Sequence, residues 1–118
     1  MNIAFKIFGV LALLAIIGVA TVMIVMDRMH AKSRRQITQI VSEIRPGMPF
    51  HAVASRLGRA NETLTNSADI AVRGTTKDDK IVTNTVLNLF VHNAIPFRWI
   101  CVYTDRDSNV VYASWKDM

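Results

Sequence analysis

The sequence predicts an α+β protein, with an N-terminal transmembrane helix ahead of a small domain in which helices precede a β-sheet. Three observations carry this. Residues 7–26 contain no charged side chain. Residues 37–57 hold two stretches with apolar residues at helical spacing, separated by a Pro-Gly turn. Residues 98–115 hold two runs of β-branched and aromatic residues around five turn-formers.

The first element is "IFGVLALLAIIGVATVMIVM", twenty residues whose only hydroxyl is Thr21. A helix of that length is about 30 Å long, the thickness of a bilayer's hydrocarbon core. A backbone in lipid must pair its own N–H and C=O groups, so such a run reads as a spanning helix. A buried core helix is the competing reading, but nothing downstream is large enough to surround one. A cleaved signal peptide is the other. Gly18-Val19-Ala20 is its one small-x-small site, and cutting there would leave an apolar "TVMIVM" terminus. An uncleaved anchor is therefore expected. The sole cysteine, Cys101, is far from this segment, so no lipoprotein processing site exists, and one cysteine permits no intramolecular disulfide.

The net charge of +5 is unevenly placed. Residues 1–35 carry Lys6, Arg28, Lys32, Arg34 and Arg35 against Asp27 alone, whereas residues 36–118 are almost balanced. Arg28, Lys32, Arg34 and Arg35 form a juxtamembrane cluster suited to anionic lipid headgroups. A nucleic-acid face needs its charge on the folded domain, so no nucleic-acid partner is expected.

Next, Ile37, Ile40, Val41 and Ile44 form one helical stripe, and this helix can run on from the span because no residue between them demands a break. Pro46 ends it. Pro49 suits the first position of a second helix. There Phe50, Val53, Ala54 and Leu57 repeat at helical spacing, and Gly58 follows as the expected positive-φ terminator. Both helices present an apolar face that needs a sheet to cover it.

"RWICVYT" (98–104) and "VVYASW" (110–115) read as strands joined by "DRDSN" (105–109). Trp99, Cys101 and Tyr103 share one face of the first. In the second, Val111, Ala113 and Trp115 alternate with Val110, Tyr112 and Ser114. "TVLNLFVHN" (85–93) reads as another strand in preference to a helix through Val82, Val86 and Phe90, and Ile95-Pro96-Phe97 then leads into Trp99. "ADIAVRG" (68–74) suggests a short strand, and "TTKDDK" (75–80) a polar loop.

No reaction is legible. Asp105, Asp107 and Asn109 mimic the start of a calcium loop, but Val110 stands where the turn glycine belongs and Lys116 where the bidentate Glu belongs. A hairpin turn is the better reading. His30, His51 and His92 show no metal-ligand spacing. Cys101 lies in an apolar strand, a poor place to activate a thiolate. Asn61-Glu62-Thr63 matches a glycosylation acceptor that matters only in a secreted eukaryotic chain. There is no phosphate-binding glycine loop and no nucleophile elbow. No catalytic residue, cofactor, metal or small-molecule substrate is expected.

"IRPGMPFHAVASRLG" resembles the opening motif of the SmpA/OmlA (BamE-like) domains: a helix, then I-x-x-G-M, a second helix, then L-G. "WICVYTDRDSNVVYA" is similar to that family's terminal hairpin. Ile44, Gly47, Met48, Val53, Leu57 and Gly58 match the motif, all at structural positions. The resemblance covers most of residues 37–115, weakly in the middle. It implies an α-α-β-β-β domain, with two helices packed on one face of a three-stranded antiparallel sheet. Pro49 departs from the Ser or Thr that usually caps the second helix, and Arg59-Ala60 from the proline that often follows. A membrane helix replaces the lipidated cysteine of the outer-membrane members. The family's best-known role is as an accessory in outer-membrane protein assembly, and the same fold also occurs in protein inhibitors of β-lactamases.

The expected organisation is an N-terminal flank (1–6), a transmembrane helix (7–26), a basic juxtamembrane segment (27–36) and a BamE-like domain (37–118). The expected function is a non-catalytic, membrane-anchored protein-binding or scaffold module of the bacterial envelope. The alternative is a small accessory subunit whose transmembrane helix docks into a larger membrane complex. A single-pass protein of the inner membrane is expected. The charge rule puts its domain in the cytoplasm, and the family resemblance puts it in the periplasm. The helices would leave the other sheet face open, making Trp99, Tyr103, Tyr112 and Trp115 candidate partner-binding residues; the alternative is that the long 59–97 segment covers these rings.

Overall fold

The computed structural model of the chain describes residues 2–94 and 96–118. Ile95, in the expected Ile95-Pro96-Phe97 lead-in, lies outside them, as does Met1. The order is α1 (Asn2–Glu43), α2 (Phe50–Leu57), β1 (Glu62–Leu64), α3 (Ser67–Arg73), α4 (Asp79–Asn84), β2 (Val86–His92), β3 (Arg98–Thr104) and β4 (Val110–Asp117). The protein is α+β. By compactness it divides into two units, Met1–Lys32 and Ser33–Met118.

The first unit is helical. Its apolar side chains are exposed throughout, and the helix is long and apolar enough to cross a membrane. Thr21 Oγ1 donates back to the Ile17 carbonyl at 2.8 Å, so the one hydroxyl of the 7–26 run is satisfied within the helix. As the sequence allows, α1 is continuous through the basic segment.

In the second unit, four strands form one antiparallel sheet in the order β1-β2-β3-β4. The register pairs Leu89 with Cys101, Phe90 with Ile100, and Val102 with Ala113. Strand alternation then sorts the core into two. One face turns Phe90, Ile100 and Val102 toward Ile37 and Ile44 of the first helical stripe and Val53 of α2. The other turns Leu87, Leu89, Cys101 and Tyr103 toward Ile70 of α3 and Val82 of α4.

Several expectations are corrected here. The sheet has four strands, because residues 62–64 pair with β2. Residues 68–74 are not a strand. Asn66 caps α3 by accepting from the Ala68 N–H at 2.8 Å, and a helix then places Ile70 fully inside. Residues 75–78 of the polar stretch are loop, as expected, and only its last two residues start α4, capped by Asp78 accepting from the Lys80 N–H at 3.0 Å. Pro49 is the residue before α2 rather than its first helical residue, with extended ψ of 142° and no side-chain cap. Its turn is held instead by β4. Gly47 N–H donates to the Val110 carbonyl at 2.6 Å, and Val110 N–H to the Met48 carbonyl at 2.8 Å. Val110 also leaves the face of Tyr112 and Ser114. The β3–β4 register shifts between Tyr103 and Thr104, and this bulge lets Val110 join the α1/α2 core.

Gly58 ends α2 as expected, at φ +79° and ψ −155°, with its N–H on the Ala54 carbonyl at 2.8 Å. That conformation is almost confined to glycine.

Candidate functional site

The four aromatic candidates do not share an open face. Strand alternation and the β3–β4 register put Trp99, Tyr103 and Tyr112 on one side and Trp115 on the other. The face expected to be open is roofed by α3 and α4. Tyr103 is corrected from a partner-binding residue to a core residue. It is wholly buried, and its hydroxyl accepts from the Thr75 N–H at 2.9 Å. The physical cause is the Asn66–Thr85 stretch, whose two short capped helices bring Ile70 and Val82 over the strand. Gly74 is what lets the chain come this close. A Cβ there would run into the Tyr103 hydroxyl and the Ile70 carbonyl.

Trp99 is half-buried beside the α3/α4 core, with the Arg73 guanidinium 5.8 Å above its ring. Arg73 also pairs with Glu62. Tyr112 is exposed and tilts against Tyr103, the ring centroids 5.6 Å apart. Trp115 is half-buried against the α1/α2 core. So Tyr112, with parts of Trp99 and Trp115, is what these residues offer to a partner.

The feature that sequence reasoning missed is Arg98, only 2% exposed. Its Nη1 donates to Ser33 Oγ at 2.7 Å and its Nε to Asp117 Oδ1 at 2.9 Å, while the guanidinium lies 5.3 Å from the Trp115 ring. The planar fork suits three partners at once, which an ammonium would not. These contacts tie the first buried turn of α1 to the end of β4. His92 sits opposite Arg98 in the register, and its Nδ1 is buried without a hydrogen-bond partner among the described residues. Burial, and then the Arg98 charge, hold its pKa below the usual histidine value and favour the neutral imidazole. An Arg opening a strand of apolar residues was the available signal for this cluster. Neither Ser33 nor Asp117 is near it in sequence.

Cys101 is buried, and desolvation pushes its thiol up to about 11, against the opposing pull of Lys116 and Arg73. It is therefore a protonated, unreactive side chain at neutral pH. The "DRDSN" segment closes the β3–β4 hairpin. The Asp105 carboxylate accepts from the backbone N–H groups of Asp107 and Asn109, both at 3.0 Å, and Ser108 takes φ +60°. Asn88 is also buried, and its amide donates to the Val102 carbonyl at 3.2 Å and Thr104 Oγ1 at 3.1 Å.

Arg28, Lys32, Arg34 and Arg35 are all exposed on α1. A small apolar groove is lined by Ile40, Ile44, Met48, Val53 and Leu57, with the Arg56–Glu43 ion pair at its rim. Among the described residues no cluster of three His, Cys, Asp or Glu side chains forms a cage for a metal ion. Comparison with family models, with characterised proteins and with solved structures finds no match to this chain.

Proposed function

We propose that the protein is a single-pass, membrane-anchored protein-binding or scaffold module of the bacterial envelope. The observation that carries this reading is the pairing of an exposed, uncharged 7–26 helix with a compact α+β unit on the same chain. An exposed apolar helix of that length has no stable place in water, and a bilayer satisfies it. Exposed Arg28, Lys32, Arg34 and Arg35 then meet anionic headgroups. The BamE-like reading is supported by helix-turn-helix punctuation at Gly47 and Gly58, both at positive φ, followed by an antiparallel β2-β3-β4 meander. Residues 62–84, with β1, α3 and α4, are an elaboration on that core.

The test exchanges residues 7–26 for an unrelated membrane span and measures which proteins co-purify from native membranes. Binding by the α+β unit retains the partner. Loss of the partner would favour the alternative, in which the native helix docks into a membrane complex. A reporter fused after Met118, active on only one side of the membrane, assigns the side of the domain.

A further inference from the structure

The two edges of the sheet are unequal. β1 has three residues, whereas β4 has eight and pairs only on its β3 side. The turn at Gly47–Met48 takes both backbone groups of Val110. From Tyr112 to Asp117 no other backbone segment among the described residues hydrogen-bonds the outer edge. A long unpaired edge is a template for another strand.

We propose that this edge binds the same edge of a second copy of the chain. β4 pairs with β4, antiparallel, about a two-fold axis at Ser114, joining two four-stranded sheets into one. The side chains and charges argue for a copy rather than a foreign strand. Pairing about Ser114 keeps each residue on its own face. It sets Ala113 opposite the partner's Trp115, small against large, and Tyr112 opposite the partner's Lys116, a ring against a cation. Both contacts occur twice by symmetry. Lys116 makes no ion pair among the described residues, whereas Asp117 is engaged by Arg98. At the other end of β4 lies the turn with Asp105 and Asp107 around Arg106. Antiparallel pairing alone brings the Lys116 end of each copy toward the acidic turn of the other. The bulge before Tyr112 and the Gly47–Met48 turn limit pairing to the 112–116 stretch. The inference stands on the sheet edge alone and does not depend on the partner reading above.

The experiment uses the full chain in detergent. Mass by light scattering is measured for the wild type and for Ser114→Lys, which puts two ammonium groups at the axis. Ser114→Cys is oxidised mildly in parallel. Facing residues of antiparallel strands have Cα atoms about 4.5–5.5 Å apart, within disulfide range. The expected result is a wild-type dimer, a Ser114→Lys monomer with unchanged circular dichroism, and a disulfide-linked Ser114→Cys dimer. Buried Cys101 contributes no cross-link, so the wild type stays unlinked. A monomeric wild type overturns the proposal. So does a dimer that survives Ser114→Lys while Ser114→Cys fails to cross-link, because association then runs through the membrane helix.

Discussion

The two faces of the sheet bury similar apolar side chains by different means. On the α1/α2 face, two helices with regular apolar stripes lie over Phe90, Ile100 and Val102, and the same face also buries Ser33, Asn88, Arg98 and Thr104. On the α3/α4 face, two helices of seven and six residues cover a largely apolar set, in which the Tyr103 hydroxyl accepts from the Thr75 N–H and the Thr85 hydroxyl donates to the Ile81 carbonyl. Helices that short do not persist alone in water. They hold because Asn66 and Asp78 cap them and because Ile70 and Val82 pack against Leu87, Leu89, Cys101 and Tyr103 of the sheet. One face thus rests on the end of the long helix α1 with the eight-residue α2 beside it, and the other on short helices alone.

The sharpest way to break this contrast is to empty each face in turn. Ile37→Ala and Ile70→Ala each remove a fully buried side chain, and each is expected to cost about 3 kcal/mol. Denaturant unfolding of the domain measures this. If Ile70→Ala instead leaves global stability intact and only residues 62–84 lose hydrogen-exchange protection, the second face is a detachable flap.

Cys101 probes the α3/α4 face by pH. Its thiol is raised from 9.0 to about 11 in the fold, so the folded state holds its proton more tightly than the unfolded chain. That contribution is complete below about pH 9 and is lost as pH rises toward 11, by roughly 2–3 kcal/mol in all. Stability of the wild type should therefore fall more steeply over this window than that of Cys101→Ala. Parallel curves would mean that the thiol is wetter than its burial implies.

A somewhat smaller effect is expected from Gly74→Ala. The new methyl group must displace the Tyr103 hydroxyl or the Ile70 carbonyl, costing about 2 kcal/mol. Tyr103→Phe in the same background removes the polar atom the methyl meets and should recover part of the loss. An additive pair of effects would show that the two groups do not meet. On the α1/α2 face Gly58→Ala meets no atom, and its cost is backbone strain alone, about 1 kcal/mol. Equal melting temperatures for Gly58→Ala and the wild type would remove the positive-φ requirement.

Much of the first face was legible in the sequence. The stripes at Ile37–Ile44 and Phe50–Leu57, the glycines of the turns and the strands read at 85–93, 98–104 and 110–115 are local patterns. The candidate site was less legible. Trp99, Tyr103, Tyr112 and Trp115 were found as aromatics, but their faces and burial depend on what lies above them. Residues 67–84 have one buried anchor per short helix, too few for a period to emerge, so Ile70 read equally well as part of a strand.

By itself, the sequence determined that residues 7–26 form an apolar helix without a charge, that α2 stops at Gly58, and that Asp105–Asn109 turns between two strands. Each of these is settled within a few residues by hydrophobicity, φ preference or turn chemistry. Only the tertiary structure decided that α3 and α4 close the second face, that the bulge before Tyr112 turns Val110 into the first core, and that Arg98 is buried between Ser33 and Asp117. Those outcomes join residues up to 65 positions apart. They depend on which surfaces reach contact once the sheet has formed, and no local pattern encodes that distance.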